Sequence, residues 1–157
     1  MSVQRVKAFL EQKNYADRII LSESSTATVP LAAAVLGVNE GAIAKTVSLY
    51  QNEDHAILVV CAGDGKIDNK KFKDTFGLKA KMLKAEDVER LTSFLPGGVC
   101  PFATPTSTSV YLDRSLLRFE TIYPACGDDH SMTRFTPEEL FSVSEAKDWV
   151  DVCKGWE

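Results

Sequence analysis

The spacing of apolar and polar residues along the chain predicts a mixture of helices and strands. Val3, Val6, Phe9 and Leu10 recur at the spacing of one helical face, which predicts an amphipathic helix at the start. Further helices are predicted where capping residues precede apolar periodicity and glycines follow it. They are Val29–Leu36 between Thr28 and Gly37, a helix from Asp68 or Asn69 to Phe76, residues 85–93, a helix opened by the capping box 136–139, and residues 145–152.

Short runs of β-branched and apolar residues between these helices predict strands. The predicted strands are 18–21, 45–50, 56–61, 79–83, 109–112, 120–123 and 132–135. Strands and helices do not alternate strictly, so we expect a mixed-sheet α/β fold. The chain has 157 residues and carries no internal repeat, low-complexity stretch or Pro/Gly-rich linker, which predicts a single domain over 1–157.

Composition narrows the class of protein. Hydrophobic residues make up 45% and charged residues 25%, as is typical of a soluble globular protein. No apolar run approaches the roughly 18 residues of a membrane span, and no apolar signal-peptide segment follows the first five residues. We therefore expect a cytoplasmic protein with no membrane partner.

Charge is distributed unevenly. The formal net charge is −4, from 18 basic and 22 acidic side chains, which argues against a dedicated nucleic-acid binder, DNA included. Lysines nevertheless crowd residues 66–84, whereas residues 128–151 are acidic. A lysine run is an ordinary solvated face in most proteins, but it can also follow a phosphate backbone. Both interpretations stay open at this point.

The four cysteines, Cys61, Cys100, Cys126 and Cys153, form no C-x-x-C pair, so we expect free thiols and no metal site. Cys126 precedes His130 in a turn-like segment, which raises the alternative of a thiol nucleophile with a histidine base. No third orienting residue accompanies them. A buried cysteine beside a surface histidine is the more favoured interpretation. Cys100 is likewise interpreted as a small residue that fills space in its loop.

Lys45 stands out within its predicted strand. Alternation places Ile43, Lys45, Val47 and Leu49 on one face, and three of these four side chains are apolar. A lysine on a buried face is costly unless its ammonium reaches a cavity or a partner. The alternative is that the strand begins after Lys45 and the ammonium extends into water.

A Gly/Pro-rich loop, PGGVCPF at residues 96–102, is the second candidate for chemistry. Adjacent glycines allow a close approach of the backbone to a ligand, with N–H groups directed at an oxyanion or phosphate. The loop matches neither a Walker A motif nor a dinucleotide fingerprint. On its own, such a loop is more often a plain connection.

Four blocks of the chain, taken together, resemble the YbaK/EbsC family of aminoacyl-tRNA editing domains, which includes free-standing deacylases and the insertion domain of bacterial prolyl-tRNA synthetases. The blocks are STAT with AAAVLGV at 25–28 and 32–38, IAKT at 43–46, AGD through ID and Lys71 at 62–71, and GGVCPF at 97–102. The segment Ala125-Cys126-Gly127 stands where the family has small residues. The chain departs from the family pattern at Ala103, where many members have glycine, and at Asp128–His130.

The resemblance implies a single α/β (α+β mixed) domain with a central mixed, mostly antiparallel curved sheet flanked by helices. It also implies hydrolysis of the ester between a mischarged amino acid and tRNA, with water or a substrate group as nucleophile. The substrate would be reached directly or through an aminoacyl-tRNA synthetase, without a cofactor. The alternative is a non-catalytic module that binds an aminoacylated tRNA end or a small ligand.

The same resemblance, with the residue chemistry above, implies the roles of individual residues. The expected catalytic residues are Lys45, Gly97 and Gly98: Lys45 would position the substrate, and the loop 97–101 would hold the tetrahedral oxyanion. The expected substrate-binding residues are Thr26, Thr28, Thr46, Val99, Cys100, Pro101, Ala125, Cys126 and Gly127. The expected contacts to the tRNA backbone are Lys66, Lys70, Lys71 and Lys73.

Overall fold

The computed structural model describes residues 2–156. Its helices are α1 (Ser2–Gln12), α2 (Val29–Leu36), α3 (Asn69–Phe76), α4 (Ala85–Thr92) and α5 (Pro137–Val143). Its strands are β1 (Ile19–Leu21), β2 (Ile43–Tyr50), β3 (Ala56–Ala62), β4 (Lys66–Ile67), β5 (Thr108–Asp113), β6 (Tyr123–Pro124), β7 (Ser131–Thr133), β8 (Trp149–Val150) and β9 (Cys153–Lys154). Within this range, no helix is both long and apolar enough to span a bilayer.

Local signals account for three of the helices. The side chains of Thr28 and Asp68 accept backbone N–H bonds in the first turns of α2 and α3. Gly37 and Gly77 end these helices in the left-handed conformation. Thr136 forms a complete capping box at α5. The predicted boundaries of α2 and α3 and the predicted start of α5 are confirmed, because the sequence signals are themselves the contacts that form these ends.

Two predicted elements are wrong. Residues 145–152 form no helix, because Trp149 and Val150 pair with the end of β5 as strand β8. Residues 79–83 form no strand, although Met82 makes a single antiparallel bridge to Leu49 and the Leu83 N–H donates to the Ser48 carbonyl. In both places the outcome depends on a partner far away in the chain.

The central sheet has five strands in the order β6-β2-β3-β5-β8. β2 and β3 pair antiparallel, whereas β2–β6, β3–β5 and β5–β8 pair parallel. The expectation of a mixed sheet is confirmed, but the expected predominance of antiparallel pairing is wrong for this sheet. The chain passes through α3 and α4 between β3 and β5, and such a long crossover returns the next strand parallel. The small sheets β1–β7 and β4–β9 are antiparallel.

The central sheet is covered on both faces. Val60 of β3 belongs to a core cluster with Leu10 of α1 and Leu140 of α5. Its neighbour Val59 points to the opposite face and joins a second cluster with Phe72 of α3. This alternation fixes which helices lie on which face of the sheet.

Candidate functional site

A cavity of about 280 Å³ lies along β2. At one end of this strand, Ile43 and Ala44 pair with β6, and at the other end Ser48 and Tyr50 form backbone hydrogen bonds with residues 81–83. The cavity is lined by residues of β2 from Ile43 to Ser48 and by four other segments. The predicted site residues that line it are Thr26, Thr28, Lys45, Thr46, Gly97, Val99 and Ala125. These residues are up to 99 positions apart in the sequence, and the fold brings them to one place.

Several lining residues were not predicted. Ser48 lies on the same face of β2 as Thr46, and the alternation of the strand would have identified it. Met82 and Val88 also line the cavity, from α4 and the segment before it. No motif marks these two positions, because they reach the cavity only through tertiary packing.

Two hydroxyl oxygens beside the cavity have no hydrogen-bond partner. The Oγ1 atoms of Thr26 and Thr46 are buried, and neither bonds to any group within residues 2–156. Thr28, in contrast, uses its hydroxyl to accept the Leu31 N–H at the start of α2. Leaving a buried polar group unpaired costs about 1–3 kcal/mol. Both hydroxyls therefore need a partner that the protein itself does not supply, such as a ligand or a water molecule.

Lys45 lines the cavity, and its ammonium donates to the Gly65 carbonyl. The sequence question about this lysine is thereby answered: it lies within the strand, and its charge reaches a polar partner. The adjacent Asp64 receives a bidentate bond from Arg118, at 3.0 and 2.6 Å. This bond is the main cause that holds the pKa of Asp64 below its usual value, and the charge of Lys45 lowers it further.

The two glycines of the loop have different environments. The Gly98 N–H donates to the Leu95 carbonyl at 2.9 Å, so it is committed to the turn. A Cβ at Gly98 would lie 2.8 Å from the Gly127 carbonyl oxygen, which explains why only glycine fits. Gly97 has φ +87 and lines the cavity. Within residues 2–156, the N–H groups of Gly97 and Val99 have no partner.

The remaining loop residues lie beside or beneath the cavity. Gly98 and Gly127 line an adjoining groove, which shares Gly97 with the cavity. Cys100, Pro101 and Cys126 are buried and do not line the cavity.

The buried thiols are poor nucleophiles. Burial raises the pKa of Cys126 to about 12, and it raises the pKa of Cys100 as well. A nucleophilic cysteine needs a thiolate, and hence a lowered pKa. The described part of the chain also holds no group of three His, Cys, Asp or Glu side chains placed to bind a metal ion.

None of the four predicted tRNA-binding lysines lines the cavity. Lys70, Lys71 and Lys73 belong to α3, which packs through Phe72 against the face opposite Thr46. Lys71 contacts Asp151 at 3.1 Å and the Cys153 carbonyl at 2.9 Å. Lys66, Lys70 and Lys73 are exposed. These lysines form a surface that is separate from the cavity.

Comparisons with known proteins agree on one family. The model of the aminoacyl-tRNA editing domain matches residues 23–143. The chain is 46% identical over its full length, and over all of the relative, to the "Uncharacterized protein YwhH" of Bacillus subtilis (strain 168). It is 26% identical over 113 residues, covering 71% of this chain and 69% of the relative, to the "Putative Cys-tRNA(Pro)/Cys-tRNA(Cys) deacylase EbsC" of Enterococcus faecalis.

A solved structure extends this agreement to the fold. The chain is similar to "a putative trans-editing enzyme for prolyl tRNA synthetase", with a TM-score of 0.87, 30% identity and coverage of 98% of each chain. The editing-domain model covers more than half of the chain and includes the lysine of β2, the glycine loop and the walls of the cavity. This chain therefore belongs to the aminoacyl-tRNA editing domain family.

Proposed function

We propose that this chain is a trans-editing hydrolase that removes a wrongly attached amino acid from tRNA. The observation that carries the proposal is that Lys45, Gly97, Val99, Thr26 and Thr46 all line one small cavity, where the N–H groups of Gly97 and Val99 have no partner within residues 2–156. Membership of the editing-domain family supports the same class of reaction.

The reaction is the hydrolysis of an ester. A water oxygen bonds to the acyl carbon, the ester C–O bond breaks, and the ribose oxygen leaves with a proton. The products are a free amino acid and an uncharged tRNA end. The tetrahedral intermediate carries an oxyanion, which the N–H groups of Gly97 and Val99 are available to bind. No protein nucleophile takes part, in keeping with the raised pKa values of Cys100 and Cys126.

Lys45 has a positioning role in this proposal. Its ammonium bonds to the Gly65 carbonyl in the free protein and exchanges that partner for the substrate carbonyl, ribose or terminal phosphate. An exchange between two polar partners costs less than releasing an unpaired charge into the cavity.

A panel of mischarged tRNAs, including alanyl- and cysteinyl-tRNA(Pro), tests the proposal. The protein should deacylate at least one of them, and Lys45→Ala should lower kcat/KM on the order of 10²–10³-fold, as for loss of one stabilising donor. The exposed Lys147 provides a matched control, and Lys147→Ala should leave activity unchanged. Survival of the whole panel, with ligand-dependent thermal stabilisation instead, would favour the non-catalytic binding module.

The thiol mechanism is tested in the same assay. Cys100→Ser and Cys126→Ser should both retain turnover, because neither thiol ionises readily in its buried site. Loss of turnover in a folded Cys→Ser variant would reinstate the thiol as the nucleophile.

A further inference from the structure

We infer that Thr26 and Thr46 select an acyl group whose side chain carries a β-hydroxyl, seryl or threonyl, over alanyl. The inference rests on the proposed function and assigns a substrate class to the same cavity. Its starting point is the pair of buried Oγ1 atoms without a partner.

Threonine is a costly choice at both positions unless its hydroxyl is used. Valine has nearly the same shape and would avoid the cost of an unpaired buried oxygen. Both threonines line the cavity. A rotation about χ1 exchanges the methyl and hydroxyl groups, so each side chain is able to turn its oxygen towards a bound ligand.

The hydroxyls are uncharged, so a neutral polar group of the substrate fits them best. The α-ammonium has a better partner in Asp128, the one carboxylate among the described lining residues. The Asp128 Oδ1 atom accepts from the His130 N–H at 2.9 Å and the Ser131 hydroxyl at 2.7 Å, whereas Oδ2 has no partner within residues 2–156. Asp128 is also exposed, which suits a carboxylate that binds the α-ammonium of the ligand at the rim of the cavity.

The volume of the cavity, about 280 Å³, does not by itself choose among acyl side chains, so the choice falls to the chemistry of its walls. Apolar walls such as Ile43, Val88 and Met132 separate small side chains only weakly. Hydroxyls that bond the substrate discriminate more strongly, because an analogue without the hydroxyl leaves them unpaired. Selectivity for seryl or threonyl over alanyl therefore comes from Thr26 and Thr46.

The test compares kcat/KM for seryl-, threonyl-, alanyl- and cysteinyl-tRNA in the wild type, Thr26→Val, Thr46→Val and Thr46→Ser. We expect the wild type to prefer the hydroxyl-bearing esters. Each valine variant should lose about 5- to 10-fold of that preference, as for one hydrogen bond between neutral groups, while alanyl hydrolysis changes little. Thr46→Ser keeps the hydroxyl and should keep the preference. The melting temperature of the valine variants should not fall, so that a loss of folding is separated from a loss of selectivity.

Three results would overturn the inference. They are equal wild-type rates on alanyl and seryl esters, a preference for cysteinyl over seryl esters, and valine variants that slow all esters equally. Each of these requires an active enzyme and leaves the proposed function standing. A wild-type protein that hydrolyses no ester refutes the proposed function itself, and this inference with it.

Discussion

Gly98 lies close against the Gly127 backbone of a second loop of the site, so Gly98→Ala tests how closely the cavity depends on backbone packing. The new Cβ would meet the Gly127 carbonyl oxygen at 2.8 Å and the Gly127 carbonyl carbon at 3.3 Å. Both contacts are with backbone, which cannot rotate away as a side chain would. The loop that carries Ala125 and Asp128, two lining residues, must therefore move by several tenths of an ångström.

The expected size of the effect follows from these contacts. Overpacking of this kind typically costs about 1–3 kcal/mol of folding free energy. A displacement of cavity walls by a fraction of an ångström lowers activity further, because a 1 Å misplacement can cost about 10²-fold. We therefore expect Gly98→Ala to be destabilised by about 2 kcal/mol. We also expect it to lose about tenfold or more in kcat/KM.

Gly97→Ala is the matched control. A Cβ at Gly97 has no heavy atom within 4 Å, but the residue has φ +87, so the cost is conformational strain of about 1–2 kcal/mol without a clash against the other loop. Urea unfolding and deacylation per mole of folded protein measure both variants. The reasoning fails if Gly98→Ala matches the wild type in stability and kcat/KM, or if Gly97→Ala displaces the loop at Gly127 to the same extent in a crystal structure.

Two further predictions concern charge. Hydrogen bonds from Arg18, at 2.8 Å to each oxygen, are the main cause that lowers the pKa of Glu139 from 4.5 to about 2. The ionised Glu139 carboxylate therefore stabilises the folded protein fully above about pH 4.5, and this stabilisation is lost as pH falls towards 2. Glu139→Gln should lower the free energy of unfolding by about 2 kcal/mol at pH 7, allowing for partial exposure. The difference between variant and wild type in urea unfolding should shrink below pH 4.5, and a difference that stays constant would contradict this prediction. We also propose that Lys66, Lys70 and Lys73 contact the tRNA backbone. Converting all three to glutamine should weaken tRNA binding and flatten its salt dependence by about 2–3 in log–log slope, whereas an unchanged slope would identify a solvated face.

The helices were predictable where their end signals are local. Thr28 and Gly37 define α2, and Thr136 opens α5, because each forms its cap with residues only a few positions away. The segment 145–152 was not predictable in this way. Its two strand residues gain their conformation from pairing with β5, and no local pattern records a partner nearly forty residues earlier.

The residues of the site also differ in whether the sequence marks them locally. Lys45 and the glycines could be found because the sequence displays a charge on an apolar strand face and a loop that needs backbone freedom, whereas Thr46 was expected only from its place in the family's lysine block. No pattern in the sequence marks Met82 and Val88 as residues of the site. Cys100 and Cys126 were expected among the substrate-binding residues, yet both are buried and neither lines the cavity, and burial is a property of the whole fold.

Different parts of the cavity wall are held to the rest of the fold with different strength. Lys45 and the loop at Gly97 are held by backbone geometry and by the 62–66 turn, so these parts tolerate little variation. Met82 is 63% exposed at the cavity, and its segment joins the sheet through one bridge, formed by two backbone bonds. Substitutions in that segment can therefore reshape this wall of the cavity at small cost to the fold. Under the proposed function, such substitutions would change which acyl side chains fit, while Thr46 and the N–H groups of Gly97 and Val99 stay in place.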